Sequence, residues 1–516
     1  LGFYFGEEDG LASRKQLSWA AAGDSLNFSI VHAVLGWGGD RPVRTYRSPG
    51  HVVLGPFRGD WYDAARIYRK WAITAPWCAK GRIHERADYP KWLIKAPYWS
   101  IGYLQHEKDI EDELNKQAFY EIPTMVAHVY NYFFTRHLDD RYPEYFPPKL
   151  GSAGFTAAIE RLQSNGVRVV PYVNGSMWDM DTDSYRMEDA ERRGAIWMSA
   201  DGNLNITTSY GGGSSLATMC PGSAIWREKL SAITSELVGR YGADGVYFDF
   251  LTDHRGDCYN PEHGHPICGG NFWAKAVHDL YAGARAAAKE RNPEAMITGE
   301  GIGEFCIDVH DTFLSLGESG STAPLFLAVY HGYTNVYGGI YNNVDPVMLG
   351  RWWLMGCQNG WHGTELGMAG VTGFNLSANS PPERRAAFLS SGKFYKSLLQ
   401  CRWQFATPYL GYGEMLKPPR VEGDIPTVSR KDMHGPFTVS LVEGSAWQAP
   451  DGTIGVFFLN YDKENAYDFT WTIDRAETPM RMSRWSEAGG LTLLKDTAQL
   501  RIEPLGLIAL KLEVLQ

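Results

Sequence analysis

The chain has 516 residues, 44% of them hydrophobic and 21% charged, with a net charge of −10 from 49 basic and 59 acidic side chains. That balance describes a packed protein of two or three domains and excludes a disordered chain. No basic cluster offers a seat to a nucleic-acid backbone, and no run of about 18 apolar residues predicts a membrane span.

Residues 1–90 read as short strands and turns ("LGFYFGEE", "LNFSIVHAVLG", "HVVLGPF") followed by a helix in "DWYDAARIYRKWA", where Tyr62, Ala65, Ile67, Tyr68 and Trp71 form a rough stripe. This predicts part of an N-terminal β domain, a β-sandwich remnant, with a connecting helix. No charged-then-apolar leader follows Leu1, which reads as a processed or truncated chain, and no compartment follows from a signal.

From residue 91 to 406 the pattern becomes apolar strands alternating with helices. "APYWSIGY" and "PTMVAHVYNYF" are the first two strands. "FTAAIERLQSNG" is a helix stopped at Asn165-Gly166, and "VRVVPYVNG" is strand three. Trp226, Leu230, Ile233 and Leu237 make one clean helical face ahead of strand four, "YGADGVYFDF". The helix "NFWAKAVHDLYAGARAAAKERNP" leads to strand five, "AMITGEG". "DTFLSLGE", "PLFLAVYHG" and "RWWLMGCQNGW" are the later strand candidates. Near-continuous apolar strands separated by helices predict a parallel sheet buried on both faces. About eight units over some 300 residues fit a (β/α)₈ TIM barrel, an α/β fold. No glycine-rich phosphate loop follows the first strand to favour an open doubly wound sheet. A last helix opens at Ser380, Pro381 and Pro382 and runs to about Gln400. Beyond residue 407 the alternation of Tyr467, Phe469, Trp471 and Ile473 predicts a C-terminal β sandwich over 407–516.

In a barrel the strand ends carry the chemistry. Asp249 ends strand four between Phe248 and Phe250, and Glu300 ends strand five, 51 residues later. An average unit of a 250-residue barrel is about 31 residues long, so the surplus falls in the loop 251–270. A carboxylate at the end of a greasy strand must be hydrated, paired or used, since burying it alone costs several kcal/mol. Two acids on neighbouring strands supply what glycosidic cleavage needs, a proton donor and an ionised partner. Asp249 is assigned as nucleophile and Glu300 as acid/base, with Glu304 and Glu318 as rivals to the latter. Gly299 and Gly301 suit a close approach to Glu300.

Other candidates surround the expected mouth. His128 and Tyr130 end strand two, and Tyr247 precedes Asp249. Asn174, Trp178 and Asp179 follow strand three, and Tyr330 and His331 end "PLFLAVYHG". Trp361 and His362 are weaker. With 18 Trp, 28 Tyr and 23 Phe, some rings are expected to stack on sugar faces and the rest to fill the core. The loop "DHRGDCYNPEHGHPICGG" holds Asp253, His254, Asp257, Cys258, His263, His265 and Cys268. It reads as a lid with Asp253, His263 or His265 bonding a sugar hydroxyl. A metal is the alternative, although the spacing fits no standard zinc motif. A Cys258–Cys268 bridge and two free thiols are equally open. No cofactor is expected, and the partner is a carbohydrate substrate.

"GVYFDF" followed about fifty residues on by "ITGEG" resembles the nucleophile and acid/base strands of retaining α-glycosidase barrels. The likeness is greatest to endo-α-N-acetylgalactosaminidases, α-N-acetylgalactosaminidases and a related barrel family of presumed glycoside hydrolases. It covers roughly residues 60–410, including "DWYDAARIYRKW" and "MCPGSAIWREKL". The resemblance implies hydrolysis with net retention through Asp249 and Glu300, a β sandwich before the barrel and a β domain after it. It slightly favours a periplasmic or extracellular setting. The competing readings are a barrel that only binds carbohydrate and a metal-assisted hydrolase built on the loop 253–268.

Overall fold

A computed structural model describes all residues except 35–44, 138–139, 194, 210, 253–255, 268, 316–321, 339–344, 361–381, 433, 475–479, 495–498 and 516, and the side chains of 382–390. Asp253, His254, Cys268, Glu318, Trp361 and His362 therefore lie outside the described residues.

Eight parallel strands form the centre: β1 (Tyr98–Tyr103), β2 (Met125–Tyr130), β3 (Val167–Asn174), β4 (Gly245–Asp249), β5 (Met296–Gly299), β6 (Phe313–Ser315), β7 (Val336–Gly338) and β8 (Gln358–Gly360). Their order is β5-β4-β3-β2-β1-β8-β7-β6, and a parallel bridge from Glu300 to Leu314 joins β5 to β6 and closes the cylinder. The fold is a TIM barrel. Every residue of β4 is buried, as expected of a strand with helices outside and a packed interior within. The helices Gly151–Ser164, Ala224–Gly239 and Phe272–Arg291 cover the outside where the apolar periodicity predicts them. Glu107–Tyr120 is an additional helix between β1 and β2. It begins at His106 with a capping box closed by Asp109.

Two of the later strand candidates are corrected. "PLFLAVYHG" forms the helix Leu325–Tyr330, and the seventh strand is Val336–Gly338. "RWWLMGCQNGW" splits into the end of the helix Pro346–Leu354 and the short strand β8. A short apolar run carries the same hydrophobicity in either geometry, and Pro324 and Pro346 at or beside the helix starts were the better guides. The helix Pro382–Cys401 also continues as wide turns through Arg402–Gly411, which accommodate Pro408.

The N-terminal strands form two antiparallel pairs, Gly2–Glu8 with His51–Phe57 and Lys15–Ala22 with Ser25–His32. The second pair turns on Gly23, at φ +59°, a backbone state that glycine adopts without strain. Phe28 packs on both Phe3 and Phe5, joining the pairs face to face. At the other end a six-stranded and a three-stranded antiparallel sheet share a core of Val456, Phe458, Ile508 and Leu510 against Phe469, Leu500 and Ile502, which makes a sandwich.

One carboxylate ties the connecting helix Trp61–Ala72 to this sandwich. Glu414 accepts from Arg69 at 2.8 Å and Arg82 at 2.7 Å, and also pairs with Arg66. Burial alone would raise its pKa, but the three guanidiniums outweigh it and hold the group at about 2, against 4.5 unfolded. A depressed carboxylate stabilises the fold above pH 4.5, and that contribution is lost as pH falls towards 2. Glu414→Gln is expected to cost about 2 kcal/mol at pH 7, below the full value of a buried pair because the group is partly exposed. The deficit in thermal midpoint relative to wild type should shrink at pH 3.

Candidate active site

The register of β4 on β5 pairs each residue with the one 51 positions later, from Gly245 with Met296 to Phe248 with Gly299. One further step brings Asp249 opposite Glu300, whose N–H donates to the Phe248 carbonyl at 3.1 Å. On the other side Asp249 pairs with Asn174 of β3. Asn174, Asp249 and Glu300 therefore stand in one row across three adjacent strands at the C-terminal end of the barrel, and adjacent strands lie about 4.8 Å apart.

Alternation along β4 turns Tyr247 and Asp249 into the barrel and Phe248 outward, where its ring meets Tyr281 of the helix Phe272–Arg291. Asp249 is 9% exposed. Its Oδ1 accepts from the Tyr247 hydroxyl at 2.7 Å and its Oδ2 from the Tyr172 hydroxyl at 2.9 Å. These donors fix the carboxylate plane without neutralising its charge. Burial first, and then the charge of Asp249, hold the hydroxyls of Tyr172, Tyr247 and Tyr337 well above the ordinary phenol range. Glu300 adds to this at Tyr247 and Tyr337. Both acids thus act on the same two phenols, Tyr247 and Tyr337, and both phenols stay protonated.

Below this row the interior is aromatic. His128 packs at a tilt against Tyr247 at 4.2 Å and Tyr130 against Tyr172 at 4.7 Å, while Trp99 lies flat on Tyr337 at 3.7 Å. Burial lowers the His128 pKa to about 3, so the ring is neutral and serves as a wall. Above the row, strand β3 leads into a three-stranded sheet of Met177–Asp179, Ile206–Thr208 and Ser215–Thr218. A cavity of about 340 Å³ opens between that sheet and the strand ends, lined by Asn174, Met177, Trp197, Thr218 and Phe250 among others. Phe250 takes φ +54°, a strained state for a bulky residue that turns the chain sharply after Asp249.

Several sequence candidates sit elsewhere. Trp178 is fully buried against Tyr185 and Trp226 with its N–H on Ser184. Asp179 accepts from Arg136 at 2.6 Å and from the Arg141 N–H at 2.8 Å, which pins the turn. Asn174 lines the cavity but also caps the Ser176 and Met177 amides with its Oδ1. Tyr330 and His331, expected at a strand end, close a helix at the opposite face of the barrel. Tyr330 donates to Glu304 at 2.6 Å, and His331 lies between the Leu410 and Gly413 carbonyls beside Trp447. The rival acid Glu304 accepts from Tyr68 as well and joins the barrel to the connecting helix. Gly299 is required by the helix outside: a Cβ there would lie 2.2 Å from the Tyr281 hydroxyl. His263 and His265 gather with Cys220 and Cys258. Tyr172 and Tyr337 were missed. Tyr172 stands two residues before Asn174 and so shares its face, a signal the alternation contains.

A family model described as "Domain of unknown function (DUF6259)" matches residues 46–341, more than half of the chain. The chain belongs to the DUF6259 family. A curated protein of Bacteroides thetaiotaomicron named "Putative glycoside hydrolase" is 28% identical to this DUF6259 chain, over 89% of it and 65% of the relative. One of Monosiga brevicollis, "Putative glycoside hydrolase 22789", is 26% identical over 81% of the chain and 38% of the relative. The chain thus spans less than two thirds of either. Among solved structures, the ligand-free α-N-acetylgalactosaminidase of Bifidobacterium bifidum superposes with a TM-score of 0.56 at 13% identity, covering 82% of this chain and 65% of that one. The trehalose-6-phosphate hydrolase of Bacillus licheniformis gives 0.54 at 12% identity, covering 82% of this chain and all of that one. At these identities the likeness shows the barrel fold.

Proposed function

We propose that this DUF6259 protein is a glycoside hydrolase, that its barrel (residues 91–406) is the catalytic unit, and that it cleaves an α-linked glycan with retention. Asp249 is the nucleophile and Glu300 the acid/base. The observation that carries this reading is the register row of β4 and β5, which puts the two acids side by side on neighbouring strands. Neighbouring strands lie about 4.8 Å apart, a spacing compatible with the about 5–5.5 Å between the carboxyl groups of retaining enzymes. Tyr172 and Tyr247 keep Asp249 oriented and dilute its charge, so attack on an anomeric carbon starts from a fixed geometry. Glu300 sits beside the Asp249 carboxylate, and that like charge raises the cost of its own ionisation, an arrangement that favours the proton-bearing role. The names of the two curated relatives support the reaction class.

The test is a screen of α- and β-linked aryl glycosides, with the first-formed anomer followed by NMR. An α-glycoside released as the α-anomer is the expected result. Release of the β-anomer would exchange nucleophilic attack for a water-mediated displacement, and glycan binding without hydrolysis would leave a carbohydrate-binding barrel. Tyr247→Phe removes a hydrogen bond to a charged acceptor, worth about 1.5–3 kcal/mol. We expect kcat/KM to fall roughly tenfold or more, with a loss of stability no larger than the value of that bond, measured on whichever aryl glycoside the wild type cleaves.

A further inference from the structure

The loop from β4 to the helix Phe272–Arg291 carries a second cluster that the hydrolysis does not use. Cys258, His263 and His265 come from this loop, and Cys220 comes from the end of the sheet that roofs the cavity. One donor atom from each of the four lies within 4.8 Å of the other three. Cys258 Sγ is 3.3 Å from His263 Nδ1, Cys220 Sγ is 3.4 Å from His265 Nε2, and those two ring nitrogens are 3.3 Å apart. A tetrahedral zinc with two thiolates and two imidazoles has edges of about 3.6 Å for S···N and about 3.3 Å for N···N. The two S···N separations and the N···N separation match the edges of such a tetrahedron to within about 0.3 Å.

The surroundings fit the same purpose. His265 turns its other nitrogen to the Pro266 carbonyl at 2.8 Å, which fixes the tautomer that leaves Nε2 unprotonated and facing the cysteine. Its ring lies on Phe272 at 3.8 Å, so it cannot swing away. Both cysteines are buried with Phe272 and Ala276 in a small apolar cluster that excludes water. Backbone bonds bring the two segments together independently of any metal, with Tyr259 donating to Met198 at 2.9 Å and Cys220 to Ala195 at 3.0 Å.

We infer that Cys220, Cys258, His263 and His265 form a structural zinc site that staples the β4 loop to the sheet roofing the cavity. A set of two thiolates and two imidazoles selects zinc over the harder divalent cations. Four protein ligands leave no open position for a water, so the site does not itself hydrolyse anything. Its effect is mechanical. Trp197 donates from its ring N–H to the Asp257 carbonyl at 2.9 Å, next to Cys258, and also forms part of the cavity wall. The metal thereby fixes the wall against which a ligand would rest.

The full chain, purified without chelator or incubated with zinc and desalted, is expected to hold one zinc per chain by elemental analysis. X-ray absorption should give two sulfur and two nitrogen neighbours. Cys220→Ser and His265→Ala should lose the metal, and stripping the wild type with a strong chelator should lower its thermal midpoint until zinc is returned. The absorption spectrum uses unaltered protein, so a variant that fails to fold does not decide the matter. Wild type that retains no zinc, an oxygen-only shell, zinc retained by Cys220→Ser, or a Cys220–Cys258 disulfide found by peptide mapping would each overturn the assignment. All of these readouts are independent of glycoside turnover, so the metal site and the catalytic assignment stand or fall separately.

Discussion

Replacing Asp249 with asparagine is expected to give a folded protein that has lost glycoside turnover by roughly a thousandfold or more in kcat. The substitution keeps volume and planarity, so the packing of β4 is untouched. The amide oxygen still accepts from one phenol, and the other phenol can rotate to accept from the new N–H₂, since a hydroxyl is both donor and acceptor. Stability should therefore move little. What disappears is the charge and the lone pair that would form the glycosyl–enzyme bond, and neither neighbour in the row replaces them: Asn174 on one side is neutral, and Glu300 on the other is assigned to the proton. Rates on an α-linked aryl glycoside should be compared with circular dichroism and thermal midpoint of the same preparations. Turnover within tenfold of wild type, from a folded variant, would remove Asp249 from the reaction and leave the row of three without a nucleophile.

The placement of Asp249 and Glu300 was legible because their separation in sequence and their register in space are the same number. A parallel barrel repeats one strand–helix unit after another, so an interval of 51 between two strand-terminal acids becomes, without adjustment, the offset that pairs β4 with β5. The helices Gly151–Ser164, Ala224–Gly239 and Phe272–Arg291 were readable because an apolar stripe of 3.6-residue period runs along each; Glu107–Tyr120, as long as the first of them but richer in charge, was not read. Leu325–Tyr330 was not. Six apolar residues satisfy a strand and a helix turn alike, and Tyr330 and His331 were carried with it to the wrong end of the barrel. Trp178 and Asp179 illustrate a different limit. A loop that follows a barrel strand is expected to carry ligand contacts, but this one builds a sheet of its own, and its first strand spends both residues on internal packing and an ion pair. Cys220 was hidden in a third way. Nothing local marks it, and only the folding of the roof over the β4 loop brings it to the histidines.

The second large effect should come from Glu300→Gln, and it should depend on the leaving group. A carboxylic acid that protonates a departing oxygen contributes about 10²–10⁴-fold. That contribution matters when the leaving group is a sugar or an alkyl alcohol, which cannot depart as an anion. A dinitrophenolate can, so the variant should form the glycosyl–enzyme from a dinitrophenyl glycoside at close to the wild-type rate. The second step then exposes the same residue in its other role, because water attacking the intermediate needs a base. A burst of dinitrophenol followed by slow turnover is the expected trace, and azide, which needs no deprotonation, should restore the slow phase by forming a glycosyl azide of retained configuration. The pH profile should change in step: wild-type activity falls as the acid ionises at high pH, and the variant should lack that limb. Equal losses on activated and unactivated substrates, with no response to azide, would mean that Glu300 only supports the geometry of the row. The proton would then have to come from a group on another strand.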